Sequence, residues 1–349
     1  MSIRNSLQGM LADFVRAAGF QYSHAVDAAC ELVFLLAAYR EEDSPLFPEL
    51  YLIDGTVEGD VLSAIAPGAE RIEIGSTSHD RRAASDALKK CAALATEDWS
   101  IYLLSGATQF TFGIFRAYQL PYSVSASESL QAADPSIGAV ILFRNCAANC
   151  VELRDGSGHN LEVSLTSAPP SGSPVSTLFG DLAAEVSANV DAEIKDTTRG
   201  YLTRLLSDIC RGSHGALIGV VPSSQARLPA MLSDGVILRE RISFVQPLKE
   251  AILRRNDSAL ALLRSREALL RGMIRGDGIT VLGSDATIRA FRVFIKPTAN
   301  ESKLLKENSV PGGARSRAFE LMKLRLGKTF GAVFFRSQDG RTAFERAKQ

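Results

Sequence analysis

Apolar residues recur at helical spacing between residues 6 and 40, as in HAVDAACELVFLLAAY, and the run stops at the charged turn REEDSP. Short stretches with strand character follow: LYLID near residue 52, RIEIG near 73, SIYLLSG near 103, FTFGIF near 112 and IGAVILF near 140. Between the second and third lies DRRAASDALKKCAALATED, whose pattern predicts a helix. CVELRDGSGHNLEVSLT alternates on both sides of Asp155-Gly156-Ser157-Gly158 and reads as a hairpin, its glycines tolerating the positive φ of a tight turn. Strands and helices mixed in this way predict an α/β (α+β) fold, beginning with a lobe over residues 1–166.

SAPPSGSPVS, residues 167–176, is rich in Pro, Gly and Ser and is the candidate linker. A second domain is expected over 177–349. It opens with two helical stretches, STLFGDLAAEVSANVDAEI and TTRGYLTRLLSDICRG, and the buried-strand run GALIGVVP. A helix pair over 245–274, strands at GITVLGS and TIRAFRVFI, a helix opening at about Gly313 and a last strand GAVFFRS complete it.

At 349 residues and 46% hydrophobic, the chain has enough material for two such cores. Its longest apolar stretches fall short of the roughly 20 residues of a membrane span. The first residues lack a basic segment followed by an apolar core and a cleavage site, so no membrane association and a cytoplasmic location are expected. Five scattered cysteines read as reduced thiols; Cys146 and Cys150 are near enough to approach each other or a metal, but no further Cys or His lies at ligand spacing.

Net charge is zero, yet residues 251–349 hold 20 Lys+Arg against 9 Asp+Glu and the rest of the chain holds 19 against 30. A basic module joined to an acidic one favours an anionic ligand on the C-terminal side, and mutual attraction of the two lobes is the plainer explanation. Nucleic acid is an unfavoured partner, because aromatics are only 7% and no helix-turn-helix, zinc finger or RNP-type pattern occurs.

The stretch GGARSRAFELMKLRLGKTFGAVFFRSQDG, residues 312–340, sets glycines and two arginines at a helix mouth. Unpaired N–H groups and the helix dipole favour a phosphate there, with Arg315 and Arg317 as bidentate donors. Arginines so placed are also often simply solvent-facing. Upstream, Asp277-Gly278 precedes a strand, where a carboxylate is anchored yet exposed and suited to a metal or to a hydroxyl proton; a plain Asp-Gly turn is the alternative.

The order HGALIGVVP (214–222), LSDGVILRERISFVQPLKEAI (232–252), DGITVLGSDATIRAFRVFI (277–295) and the 312–340 stretch resembles the diadenylate cyclase (DAC) domain. The resemblance spans about residues 200–349 and implies a central mixed β-sheet flanked by helices. Asp277 and Gly278 match the family's Asp-Gly-Ala motif, with Ile279 in its small third position. Gly313, Arg315 and Arg317 match the phosphate-binding Gly-Thr-Arg-His-Arg motif, with Ala314 for its Thr and Ser316 for its His. Ser337 opens the last motif, where Gln338 and Asp339 replace two glutamates.

In that family the aspartate helps bind metal and activate the ribose 3′-hydroxyl of ATP. An active site here would therefore use Asp277 as the catalytic group, Asp277 and Asp339 as ligands, and Mg²⁺ or Mn²⁺ as cofactor. The anion-holding positions are kept better than the chemical ones, and loss of one transition-state donor typically costs about 3 kcal/mol, roughly a hundredfold in rate.

The whole chain is similar to the DAC-related DACNV group, expected to sense nucleotides in bacterial conflict, or anti-phage, systems. The expectation is a nucleotide or cyclic-nucleotide sensor, with an effector protein in another chain and a homo-oligomer implied by face-to-face DAC sites. An active cyclase making cyclic di-AMP or a related product, and an interaction protein with a vestigial pocket, are the alternatives.

Overall fold

The computed structural model describes residues 3–41, 44–55, 61–80, 82–96, 98–117, 120, 126–132, 138–147, 149–165, 175–213, 215–225, 227–232, 234–307, 313–338 and 340–348. The chain divides into two compact units, Met1–Ser171 and Gly172–Gln349. That division falls inside the expected linker, of which residues 167–174 lie outside the described residues and 175–176 begin a helix.

The first unit opens with α1 (Ile3–Ala17) and α2 (Ser23–Ala37), so the apolar run over 6–40 is two helices with a turn at Gly19, φ +103°. The two-residue strands β1 (Arg40–Glu41) and β2 (Ser44–Pro45) lead to β3 (Leu50–Asp54), α3 (Val61–Ile65), β4 (Arg71–Ser78), α4 (Ala83–Cys91), β5 (Trp99–Ser105), β6 (Gln109–Arg116), α5 (Ala126–Ala132), β7 (Val140–Ala147), β8 (Cys150–Asp155) and β9 (Asn160–Ser164). Seven of these strands form a sheet in the order β4-β6-β5-β3-β7-β8-β9, in which β3 and β5 are parallel and the other pairs antiparallel.

Period-two alternation sorts the strand residues into two cores. Leu50, Leu52, Ile101, Leu103, Ile141 and Phe143 face α1, α2 and α4, while Tyr51, Ile53, Tyr102, Val140 and Leu142 face α3 and α5. The β8–β9 hairpin is present, held at its turn by the Asp155 carboxylate, which accepts from the backbone N–H groups of Ser157 and His159.

The second unit begins with α6 (Val175–Val186) and α7 (Ala192–Arg211). The break lies earlier than the apolar pattern predicts: the Ser187 hydroxyl donates to the Ala183 carbonyl, and Asn189 N–H turns out to the Ser284 carbonyl. Next come β10 (Ala216–Val221), β11 (Val236–Ser243), α8 (Val245–Arg254), α9 (Asp257–Arg275), β12 (Ile279–Gly283), β13 (Thr287–Val293), α10 (Ala299–Glu307), α11 (Ala314–Lys323), β14 (Ala332–Arg336) and β15 (Thr342–Arg346). The helix pair over 245–274 is α8 and α9, separated by left-handed Arg255, with the Asn256 side chain accepting from Ser258 N–H at the start of α9.

The six-stranded sheet runs β11-β13-β12-β10-β14-β15, with β10 and β12 parallel and the other neighbours antiparallel. Leu217, Val281, Ala290, Val333 and Phe335 pack with Phe319 and Met322 of α11 on one face. On the other, Phe334 meets Phe179 of α6, and α9 lies against β10 and β13. Each unit is thus an α/β layer structure with a mixed sheet between helices, as the alternation of elements predicts.

Candidate functional site

The sheet of the second unit has one edge where β10 and β12 begin and β14 ends. Register Ile218↔Thr280 sets Gly215 level with Asp277, and register Ala216↔Arg336 brings the end of β14 beside them. Gly313, extended at φ −80° and ψ −167°, is the N-cap of α11, and among the described residues nothing lies within 4 Å of where its Cβ would be. Residues separated by more than a hundred positions are therefore gathered at one mouth, with the first turn of a helix facing it.

Arg315 and Asp277 meet there. An Arg315 Nη2–H donates to Asp277 Oδ1 at 2.9 Å. The Asp277 side chain is 85% exposed and that of Arg315 31% exposed, so solvent screens the pair and its net worth is no more than about 1 kcal/mol. Arg315 reaches across because residue 215 has no side chain: a Cβ on Gly215 would lie 3.4 Å from both Cδ and Nη1 of Arg315 and 3.0 Å from the Arg336 carbonyl oxygen.

The other expected site residues divide by role. Gly278 adopts φ +94°, and a Cβ there would sit 2.9 Å from Cα and the carbonyl carbon of Arg292, at a bulge in β13. Its lack of a side chain thus serves strand packing. Ile279 is buried in the core of the unit. Ala314 is exposed in the first turn of α11, and the Arg317 side chain is exposed with no hydrogen bond or ion pair to any described residue, while its backbone N–H donates to the Gly313 carbonyl at 3.2 Å.

Ser316 is buried and accepts from Arg341 Nη2–H at 3.4 Å. The Ser337 hydroxyl accepts from Arg341 N–H at 2.9 Å, which occupies it in the β14–β15 turn. Gln338 is exposed, and Asp339, the second expected metal ligand, lies outside the described residues, as does His214.

Two contributors escape sequence reasoning. Arg341 lies with its guanidinium carbon 5.4 Å from the centroid of the Phe335 ring and holds the first turn of α11 through Ser316. Gly215 makes room for Arg315, as described above. Arg275 and Arg292 add guanidinium groups close by, seen in their approach to the Cβ positions of Gly212 and Gly276 respectively. With the dipole of α11, these charges make the mouth a place where an oxyanion is favoured. Asp277 is the acidic group paired within it.

Elsewhere, Cys146 and Cys150 approach to 3.3 Å between sulfurs, both buried and not joined in a disulfide. His24 and His79, far apart in sequence, stack with ring centroids 3.7 Å apart, and His24 Nε2 lies 2.8 Å from the Ser105 hydroxyl. Burial and then the His79 neighbour hold the His24 imidazole below its ordinary pKa. Among the described residues no three His, Cys, Asp or Glu side chains are grouped to hold a metal ion, and no helix is long and apolar enough to cross a membrane.

No family model, no curated protein and no solved structure matches this chain.

Proposed function

We propose that the second unit is a module that binds a nucleotide or cyclic nucleotide and reports its presence, on a degenerate diadenylate-cyclase-like scaffold. The observation that supports this reading best is the Arg315–Asp277 pair at the start of α11. A phosphate offers Arg315 two oxygens and a full negative charge in place of one exposed carboxylate, and it meets the positive end of the α11 dipole as well. Ligand arrival therefore exchanges partners: Arg315 goes to the phosphate and Asp277 is released. The Arg315–Asp277 bond that is broken is exposed and worth no more than about 1 kcal/mol.

Turnover fits these residues less well. Asp277 is engaged by a guanidinium, Ser316 stands where the resembling family has a histidine, and Gln338 has no charge to lend a metal. If Mg²⁺ or Mn²⁺ enters, Asp277 is the residue that would hold it. In this proposal occupancy is relayed to an effector protein in another chain or to a second copy, within a bacterial anti-phage signalling system.

The test is a thermal-shift screen of mono-, di- and cyclic nucleotides on wild type and Arg315→Gln. At a hundredfold excess over Kd a ligand adds about 2.7 kcal/mol, which for a unit of this size is a rise of roughly 5–10 °C. A rise with one nucleotide class, lost in Arg315→Gln, is the expected result. No rise with any nucleotide would overturn the proposal. Pyrophosphate release and a cyclic product on incubation with NTPs and Mn²⁺, abolished in Asp277→Asn, would replace the sensor with a cyclase.

A further inference from the structure

The opposite edge of the same sheet holds a second basic feature. There, where the parallel strands β10 and β12 end, the chain turns through 222–225, and β11 and β13 bring Arg241 and Arg289 side by side. Their guanidinium groups converge on one acceptor: Arg289 Nη2–H donates to the Gln225 carbonyl at 2.5 Å and Arg241 Nη2–H to the same oxygen at 3.0 Å. Like charges on neighbouring strands repel, and of this pair Arg289 is buried while Arg241 is exposed.

Compensation within the chain is incomplete. Asp285 meets Arg241 at 3.3 Å, but it is also taken by the Thr287 hydroxyl and does not bond to Arg289. Arg289 is only 4% exposed, and its Nη1 has no hydrogen-bond partner among the described residues. Burial first, and the Arg241 charge second, lower the Arg289 pKa from its ordinary value. A buried guanidinium with an unused donor beside a second guanidinium is costly unless something negative joins it.

We infer that Arg289 and Arg241 form a binding site for a small oxyanion, a phosphate group or a carboxylate, separate from the mouth of α11. Arg289 supplies the desolvated N–H and Arg241, at the surface, supplies the outer half of the clamp. The position is one that open α/β sheets use repeatedly, outside the carboxyl ends of parallel strands, where a loop rather than a packed helix follows each strand. Ser223 and Ser284 line the turn: the Ser284 hydroxyl accepts from Ser223 N–H at 2.9 Å and donates to Asn189 Oδ1 at 2.7 Å, so the loop is held in register with the strand ends. The loop beside the two guanidinium groups is thereby preorganised, and an anion arriving there neutralises a charge excess already present.

Isothermal titration calorimetry of the full chain with sodium phosphate, and separately with sodium acetate, at constant ionic strength tests this. The expected result is a saturable site that persists in an Arg315→Gln background, where the mouth of α11 no longer contributes, and that is weakened on the order of tenfold by Arg241→Gln and more by Arg289→Gln in that background. A lower Kd for phosphate identifies a phosphorylated ligand, and a lower Kd for acetate a carboxylate one. If Arg289→Gln does not fold, Arg289→Lys, which keeps the charge and loses the fork, takes its place, and surface Arg241→Gln stands on its own. No saturable binding of either anion, or binding intact in Arg241→Gln and Arg289→Lys, would overturn the inference. Loss in Arg315→Gln instead would assign the anion to the other edge.

Discussion

Replacing Asp277 by Asn separates sensing from catalysis by the sign of its effect. In wild type the carboxylate competes with an incoming phosphate for Arg315, through a hydrogen bond of 2.9 Å that exposure limits to about 1 kcal/mol. It also repels the phosphate directly: two unit charges about 5 Å apart in water interact by about 0.8 kcal/mol, and physiological salt screens part of that. Removing both terms strengthens nucleotide binding by about 1 kcal/mol, or roughly fivefold in Kd. Calorimetric titration of wild type and Asp277→Asn with the best nucleotide, once in EDTA and once in Mg²⁺, reads this out. Tighter binding of the variant in both buffers is expected. Weaker binding in Mg²⁺ alone would refute the reasoning, because it would mean that Asp277 holds a metal that the ligand needs.

Gly278→Ala should destabilise the second unit by about 2–4 kcal/mol, since it forces a side chain to φ +94° and into the Arg292 backbone; chemical denaturation measures it, and a loss under about 0.5 kcal/mol would show that the bulge yields. Glu152 is buried with Arg144 and Arg154 bonded to it, and although desolvation opposes ionisation, the two guanidinium groups hold its pKa down to about 2 against an ordinary 4.5. Because the folded value is the lower one, the stability it gives, about 3 kcal/mol, is present above pH 4.5 and lost as pH falls toward 2; Glu152→Gln should flatten that part of the acid-unfolding curve, and an unchanged curve would remove Glu152 as its cause. Burial raises the Cys91 thiol to about 11 and the Cys210 thiol to about 12, so neither should react with a thiol reagent at neutral pH until the protein unfolds; prompt labelling of either, located by peptide mass, would contradict the packing.

Much of the architecture is legible where burial imposes a period. β3, β5 and β7 lie in the middle of a sheet covered on both faces, and their apolar runs stand out in the sequence. Edge elements are less visible. β11 has Val236 and Ile237 exposed and a register shift before Ile242, so no alternation marks it, and β15 is a short outer strand with charged residues at its end. Helix breaks were hidden for a different reason: Ser187 and Asn189 leave the helical pattern through contacts with Ala183 and with Ser284, the latter nearly a hundred residues away. The same limit governs the site. The expectation that Asp277 lies with the start of α11 comes from the family resemblance, and Gly215 and Arg341 act through neighbours that only the sheet register brings near. Arg241 and Arg289 become a pair only once β11 and β13 are laid together.

The parallel pairing at the centre of the second sheet carries a kinetic consequence. β10 and β12 are neighbours, yet residues 222 to 278, with an edge strand and two helices, must cross over between them before the pair closes. Closing so long a loop costs entropy before any contact rewards it, so refolding of this unit should be governed by that crossover and run far slower than the formation of α8 and α9 alone. A substitution in the α8–α9 connection that leaves equilibrium stability unchanged would then still alter how quickly the mouth of α11 acquires its opposing carboxylate.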